Sequence, residues 1–242
     1  MSLADYRVLT FDTFGTVIDW ETGILRALAP LLARLDDPPG AERVLELFAR
    51  AESAQQAEAP DMLYRDLLSA VYRTLAKDWG IAAGEEEAAR FGASVGDWPA
   101  FDDSAAALRY LKEHYTLITL TNCDRESYSG ASRRLGDPWD AIYTAQDVGS
   151  YKPSPRNFEY LIDHVKREFG FEKTDILHTA QSLFHDHVPA TAHGLATAWI
   201  DRRRGADGFG ATPPPPGDYR IDFHFATLGD MVRAHREELR AQ

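Results

Sequence analysis

A short apolar run near the start of the chain ends in a carboxylate and a glycine turn. Residues 8–11 are rich in β-branched and aromatic side chains, which favours a buried strand, and Asp12 follows directly. Open α/β sheets bind their ligands at the carboxyl ends of such strands. Asp12, with an ordinary pKa of about 3.9, is a candidate metal ligand, general base or covalent nucleophile. Gly15 and Thr16 predict a tight loop facing the same pocket.

Segments typical of strands and of helices alternate after residue 101. Apolar runs predict strands at 115–120, 141–144, 175–180, 197–201 and 222–225. Amphipathic stretches between them, such as 158–169, predict helices. This alternation is typical of an α/β protein with a Rossmann-like, doubly wound parallel sheet. The proline-rich residues 205–217 predict a surface loop within this unit.

Residues 18–98 contain helical patterns and no convincing strand. Apolar residues recur there at helical spacing around 24–35, 44–48, 62–75 and 85–91. We therefore predict two domains. Residues 1–17 and 99–242 form the Rossmann-like core, and residues 18–98 form a helical cap domain over the carboxyl ends of the strands.

Polar residues follow the later predicted strands. Thr121 and Asn122 end one of them, and hydroxyl and amide donors there can hold the anionic part of a substrate. Lys152 follows another, and a cation beside Asp12 would favour its ionised form and reduce repulsion toward an anionic substrate. Each of these residues taken alone also fits a structural role, as a strand-end turn or a solvated loop lysine.

Taken in order, four segments resemble the motifs of the haloacid dehalogenase superfamily. They are Asp12-Thr13-Phe14-Gly15-Thr16, Thr121-Asn122, Lys152-Pro153 and Gln181-Ser182-Leu183-Phe184-His185-Asp186. In the superfamily the first Asp attacks the substrate, and phosphatases carry a second acid where this chain has Phe14. An aromatic residue there is similar to the L-2-haloacid dehalogenase branch, in which the halide leaves without protonation and without a metal ion.

The resemblance implies a hydrolytic dehalogenase that acts on a small anionic haloacid. Asp12 would attack C2 of a short 2-haloalkanoate to form an aspartyl ester, and water positioned by Asp186 and Lys152 would then release a 2-hydroxy acid. Thr16 belongs to the same catalytic set. The residues predicted to bind substrate are Thr13, Phe14, Arg50, Tyr64, Thr121, Asn122 and His185.

Several positions depart from the dehalogenase pattern. Arg50 is the nearest match to a cap arginine beside the halide in relatives, although Ala49 also falls close to that position. Phe158 and Leu183 stand where relatives carry Tyr and Asn. His185 replaces an aromatic residue, and we expect it to line the pocket or contact halide. Substrate choice is therefore the property that the resemblance predicts least.

No metal ion or other cofactor is expected. Phe14 and Gln181 occupy positions at which the phosphatases carry acids near Mg²⁺, and a hard cation prefers several oxygen ligands. The spacing of four histidines matches no standard ligand motif. They are His178, His185, His187 and His193.

Two other functions stay open on the sequence alone. One is a phosphatase, or another hydrolase of a small substrate, that depends on Mg²⁺; Phe14 argues against it. The other is a catalytically weak, ligand-binding member of the same fold.

The composition of the chain argues against several classes of partner. Its 242 residues carry a formal net charge of -12, which disfavours binding to nucleic acid or to an anionic membrane surface. No apolar run approaches the roughly 20 residues that span a bilayer, and Cys123 is the single cysteine. We expect a cytoplasmic protein without an internal disulfide, and the family resemblance implies a homodimer.

Overall fold

The computed structural model describes residues 1–241, in which six parallel strands form one sheet. The strands are β1 (Val8–Phe11), β2 (Thr116–Thr121), β3 (Ala141–Thr144), β4 (Ile176–Ala180), β5 (Ala196–Ile200) and β6 (Phe223–Phe225). Their order across the sheet is β3-β2-β1-β4-β5-β6, which is the doubly wound order of Rossmann-like proteins. The predicted fold class is confirmed.

Strand β1 lies in the middle of the sheet, between β2 and β4. Phe11 pairs with Thr119 on one side and with Thr179 on the other, and every residue of β1 is buried. A strand covered on both faces needs no alternation of polar and apolar residues, which explains its pattern. Because the strand order reverses at β1, the next residue, Asp12, lies in the crevice where such sheets bind ligands.

Ten α-helices occur within residues 1–241. They are α1 (Trp20–Leu32), α2 (Ala41–Glu58), α3 (Tyr64–Asp78), α4 (Glu85–Ala93), α5 (Ser104–Lys112), α6 (Arg125–Leu135), α7 (Ala145–Val148), α8 (Pro155–Phe169), α9 (Val188–Ala192) and α10 (Leu228–Ala241). The first helix begins earlier than its apolar pattern predicts, because Asp19 Oδ1 accepts a hydrogen bond from Thr22 N at 3.1 Å and caps it. No helix in this part of the chain combines the length and apolar character needed to cross a membrane.

Helices α1–α4 and the 3₁₀ turn Ser94–Asp97 form a continuous helical segment between β1 and β2. The chain leaves and rejoins the sheet at one place, where Asp19 N donates to Pro99 O at 2.8 Å and Phe101 N donates to Val17 O at 3.3 Å. One hydrophobic cluster runs from β1 through Phe14 into this helical segment. The segment therefore packs directly on the residues that follow β1.

Two glycines allow the backbone of the helical segment to lie in close contact with the backbone of α6. A Cβ placed on Gly130 would lie 2.3 Å from the carbonyl oxygen of Gly96. Gly96 belongs to the 3₁₀ turn Ser94–Asp97, and Gly130 lies within α6. Because the obstructing atom is backbone, any side chain at position 130 must displace the turn or the helix.

We expect Gly130→Ala to destabilise the protein by about 2 kcal/mol, because overpacking against backbone forces a shift of α6 or of the turn. Urea-induced unfolding followed by circular dichroism measures the change. Gly217→Ala is the matched control, since no described atom other than those of Gly217 and its two chain neighbours lies within 4 Å of its Cβ position. An unchanged unfolding midpoint for Gly130→Ala would contradict the tight contact.

Candidate active site

Asp12 follows β1 directly and lies at the floor of the crevice. Its backbone N–H donates to Thr179 O at 3.0 Å, which ties it to β4. The residue is 6% exposed, and the Thr16 hydroxyl donates to its Oδ2 at 2.7 Å. Thr16 Oγ1 in turn accepts from Gln181 N at 2.8 Å. The loops after two neighbouring strands therefore hold the carboxylate in one orientation.

The turn after Asp12 requires a glycine. Gly15 has a φ of 92°, in the region that favours glycine. A Cβ there would also lie 3.0 Å from both Trp20 Nε1 and Gln181 Oε1. Thr13 O accepts the backbone N–H of Thr16 at 3.2 Å inside the turn. The tight loop predicted from the sequence is present and orients Thr16 toward Asp12.

Lys152 bridges the two carboxylates of the site. Its Nζ donates to Asp12 Oδ1 at 2.9 Å, to Asp186 Oδ1 at 2.7 Å and to Leu120 O at 2.9 Å, so all three N–H donors of the ammonium are used. Asn122 fixes the lysine backbone, because its Oδ1 accepts from Lys152 N at 2.7 Å and its Nδ2 donates to Lys152 O at 3.0 Å. Asn122 thus positions Lys152 as well as lining the crevice.

A buried hydrogen-bond chain supports Asp186 from behind. Asp186 lies in the π-helical turn Leu183–His187, and its Oδ1 is 2.9 Å from His178 Nε2. The other ring nitrogen of His178 is 2.8 Å from Thr10 Oγ1. Thr10 and His178 are register partners on β1 and β4. Sequence reasoning treated His178 only as a metal candidate, because strand register is not visible in a single sequence.

The charges of this cluster set its protonation. Burial disfavours the ionised form of Asp186, but the Lys152 ammonium and the His178 hydrogen bond outweigh it and hold its pKa below the ordinary value. Burial also disfavours charged Lys152, yet the two carboxylates raise its pKa. For Asp12 burial prevails and raises the pKa, although Lys152 and Thr16 oppose the shift. One ammonium is shared by two carboxylates, and Asp12 is the more easily protonated of them.

A cavity of about 20 Å³ adjoins Asp12 and is closed by residues of the helical segment. Its lining residues are Asp12, Phe14, Trp20, Glu52, Gln56, Tyr64, Asn122, Lys152, Ser182 and His185. The space holds about one water molecule. Of the residues predicted to bind substrate, Phe14, Tyr64, Asn122 and His185 meet here.

Glu52 is a lining residue that sequence reasoning missed. It lies on the buried face of α2 and is 2% exposed. The Tyr64 hydroxyl donates to its Oε1 at 2.6 Å, whereas Oε2 has no hydrogen-bond partner within residues 1–241. Burial raises the pKa of Glu52 to about 7, and the Tyr64 hydrogen bond opposes the shift. Its spacing from Phe48, one helical turn earlier, was the available signal.

His185 presents a second free polar group to the cavity. Its Nδ1 is 3.0 Å from Ser182 Oγ, which also accepts from His185 N at 2.9 Å. The other ring nitrogen, Nε2, is buried and finds no partner in the described residues. Burial lowers the pKa of His185 to about 4. The imidazole is therefore neutral at physiological pH.

Three predicted substrate-binding residues are not among those that line this cavity in the described chain. The Thr13 hydroxyl lies 3.0 Å from Thr119 Oγ1, between two strands. Thr121 is buried, 1% exposed, at the end of β2. Arg50 is exposed and lines a separate groove beside residues 208–214. Two residues along a helix turn the side chain by about 200°, so Arg50 faces away from the buried side marked by Phe48.

Comparisons with known proteins agree with this architecture. A sequence model of haloacid dehalogenase-like hydrolases matches residues 6–178. The chain therefore belongs to this family of hydrolases. No protein among the curated sequences matches.

Solved structures of L-2-haloacid dehalogenases share the fold over nearly the whole chain. The L-2-haloacid dehalogenase PA0810 is 24% identical, with a TM-score of 0.75, and the match covers 98% of this chain and 100% of that chain. The defluorinating L-2-haloacid dehalogenase Rha0230 is 23% identical, with a TM-score of 0.77 and coverages of 97% and 98%. The enzyme from Xanthobacter autotrophicus, solved with chloropropionic acid covalently bound, is 15% identical, with a TM-score of 0.76 and coverages of 96% and 98%.

The donor set does not fit the divalent cation used by phosphatases of this fold. Lys152 Nζ lies between the carboxylates of Asp12 and Asp186, within 2.9 Å of each. Phe14 and Gln181 supply no carboxylate at the positions of the missing acids. In residues 1–241 no three His, Cys, Asp or Glu side chains gather in a way that could hold a metal ion.

We expect Lys152→Met to cost about 3 kcal/mol of stability at pH 7.5, because it leaves two buried carboxylates without their cation. The pKa values of both carboxyls would then lie above those of the unfolded chain, so the loss grows as the pH rises. Urea unfolding at pH 4.5 and pH 7.5 tests this, with the exposed Lys77→Met as control. Equal losses at the two pH values would contradict the electrostatic explanation.

Glu52→Gln should stabilise the protein at alkaline pH relative to wild type. The folded pKa of about 7 exceeds the ordinary 4.5, so the folded state binds the extra proton and wild type loses stability between these values as the pH rises. The advantage of Glu52→Gln over wild type should grow by about 2 kcal/mol from pH 5 to pH 8. Unfolding free energies at the two pH values measure it, and a pH-independent difference would refute the raised pKa.

Proposed function

We propose that this hydrolase is a dehalogenase that converts short 2-haloalkanoic acids into 2-hydroxy acids and halide through an aspartyl ester on Asp12. The observation that carries the proposal is the arrangement around Asp12. The Thr16 hydroxyl and Lys152 ammonium hold its carboxylate at 2.7 and 2.9 Å, and Phe14 lies where a phosphatase needs a second acid.

In the first step the Asp12 carboxylate attacks C2 of the haloacid and the halide leaves with the electron pair. The buried Lys152 ammonium reduces the repulsion between the nucleophile and the carboxylate of the substrate. A halide leaves without a proton, so this step does not require an acid at position 14. Attack from the side opposite the halide inverts the configuration at C2.

In the second step water attacks the carboxyl carbon of the Asp12 ester. Asp186 Oδ2 has no hydrogen-bond partner in the described part of the chain, and it is free to accept a hydrogen bond from that water. Lys152, within reach of both carboxylates, stabilises the negative charge that develops on the ester oxygen. His178 fixes the Asp186 carboxylate through its contact at 2.9 Å.

The helical segment acts in this proposal as a cap, residues 18–98, that encloses the substrate. Phe14 contacts Trp98 edge to face with ring centroids 5.6 Å apart, and the Tyr64 ring lies at 6.3 Å. These aromatic walls exclude water and strengthen the electrostatic contacts inside. The cavity of about 20 Å³ holds about one water molecule, so the cap must move outward before even a two-carbon haloacid can bind.

Metal-free halide release tests the proposal. Wild type is expected to release chloride from chloroacetate and 2-chloropropionate in the presence of EDTA, with a preference between the two enantiomers. Asp12→Asn should lose at least about 10³-fold in kcat/KM because the nucleophile is gone. The exposed Asp61→Asn is the matched control. Activity toward phosphate esters that EDTA abolishes, without halide release, would favour a phosphatase; substrate binding without turnover would favour a ligand-binding protein.

Labelled water distinguishes the ester route from direct attack by water. In a single turnover in H₂¹⁸O, the product hydroxyl should carry oxygen from Asp12, and ¹⁸O should enter the Asp12 carboxyl. Mass spectrometry of the product and of the peptide containing Asp12 measures both. Label that entered the product directly, and never Asp12, would eliminate the covalent route.

A further inference from the structure

We propose that Glu52, in its protonated form, donates a hydrogen bond to the departing halide. The inference rests on the proposed dehalogenation and adds a catalytic residue of the helical segment to it. It also predicts which leaving group the site assists most. Halides accept hydrogen bonds more strongly from bromide through chloride to fluoride, so the rate gain from the Glu52 hydrogen bond should increase in that order.

Asp12 and Glu52 reach the same cavity from different parts of the fold. Asp12 comes from the carboxyl end of the sheet, whereas Glu52 comes from α2 in the segment that closes the cavity. Both line the same cavity of about 20 Å³, so a small ligand held there can contact both. Backside attack by Asp12 sends the halide away from the sheet and toward the wall that α2 forms.

The hydrogen bonds of Glu52 leave one oxygen available. The Tyr64 hydroxyl donates to Oε1 at 2.6 Å, and Oε2 is buried without a partner among residues 1–241. A proton on Glu52 therefore belongs on Oε2. A buried polar group without a partner is costly, and a ligand that accepts a hydrogen bond in the cavity would remove this cost.

Among the other groups near Asp12, the donors of Lys152 are engaged and Arg50 lies elsewhere, whereas His185 Nε2 lines the same cavity without a partner. The three N–H groups of Lys152 bind Asp12, Asp186 and Leu120. The Asn122 amide is bound to the lysine backbone. Arg50, the predicted halide ligand, lines a different groove. Gln56, one turn beyond Glu52 on α2, lines the same cavity and extends the polar surface of that wall.

Burial, and not a neighbouring charge, favours the neutral form of Glu52. The cavity also contains Asp12, Lys152, His185 and Tyr64. Lys152 is committed to two other carboxylates, and burial keeps His185 uncharged with a pKa of about 4. Burial raises the pKa of Tyr64 well above its usual value, and it also raises the pKa of Tyr151, whose ring lies beside Tyr64, so both phenols stay protonated.

An ionised Glu52 would oppose the reaction. It would place a second negative charge beside an anionic haloacid in a closed cavity, where electrostatic repulsion is strong. Burial raises the pKa of Glu52 to about 7, so the carboxyl is about half protonated at pH 7 and largely protonated at weakly acidic pH. The same burial that closes the site therefore keeps the donor available.

The proposed step conserves all atoms and charges. The bond from Asp12 oxygen to C2 forms while the carbon–halogen bond breaks, and its electron pair leaves on the halide. The halide accepts a hydrogen bond from Glu52 Oε2–H. The proton stays on Glu52 because hydrogen halides are stronger acids than this carboxyl, so Glu52 is unchanged when the halide departs.

The test compares kcat/KM for fluoroacetate, chloroacetate and bromoacetate in wild type, Glu52→Ala, Glu52→Gln and the control Glu58→Gln. Glu58 is exposed at the end of the same helix. Glu52→Ala should lose about 10²-fold in kcat/KM for the substrate whose halide is the strongest hydrogen-bond acceptor among those that wild type releases. The loss should become smaller toward bromide. Glu52→Gln keeps a neutral N–H donor and should retain most of the activity, as should the control.

The pH profile supplies a readout that a purely structural role would not change. Wild-type kcat/KM should rise at acidic pH as Asp12 ionises and fall above pH 7 as Glu52 ionises. Glu52→Gln should keep the acidic limb and lose the alkaline one. Tyr64→Phe removes the hydrogen bond that favours ionised Glu52, so it should move the alkaline limb to higher pH.

Two results would overturn the role of Glu52 while leaving the proposed function in place. One is an equal loss in Glu52→Ala for every haloacetate that wild type turns over. The other is an alkaline limb near pH 7 that persists in Glu52→Gln. Failure of wild type to release halide from any haloacid would instead overturn the proposed dehalogenation, and the role of Glu52 with it.

Discussion

The rest of the site depends on one buried ammonium group between two carboxylates. Lys152 contacts Asp12 and Asp186 at 2.9 and 2.7 Å and is 1% exposed. Removing Lys152 would leave two buried carboxylates without compensation, whereas removing either carboxylate would leave the other paired with the ammonium. The arrangement also separates the two carboxylates chemically. Asp186 is held ionised by Lys152 and His178, whereas Asp12 shares the ammonium and keeps the position at the end of β1 from which it can attack a substrate.

Burial determines the chemistry of the cavity as much as the identity of its residues does. The helical segment covers Asp12 with aromatic rings, and this removes water from every polar group beneath them. As a result the pKa of Glu52 rises to about 7 and that of His185 falls to about 4. A site with one shared cation, a neutral imidazole and a carboxyl that is largely protonated below pH 7 is better suited to a small anion than its residue types alone would indicate.

The fold and the floor of the site were predictable because they depend on local patterns. Strand β1 is buried on both faces, so its apolar run is recognisable, and the carboxyl ends of parallel strands bring Asp12, Lys152 and Asp186 to one edge. The residues of the helical segment that line the cavity were predicted less well. The exposed Arg50 was chosen from an approximate helix offset, whereas Glu52 and Gln56 lie on the buried face of α2. The helical spacing pointed to them, but a charged residue on an apolar face is normally assigned to solvent.

The sequence by itself determined the order of strands and helices, the loop around Gly15, and the residue types that meet at the sheet edge. These follow from backbone preferences and from periodicities that act over a few residues. Only the tertiary structure decided that His178 supports Asp186, that Thr13 and Thr121 are buried away from the cavity lining, and that Glu52 faces the cavity. Each of these depends on strand register or on how a helix is rotated against the sheet, and such contacts join residues far apart in the chain.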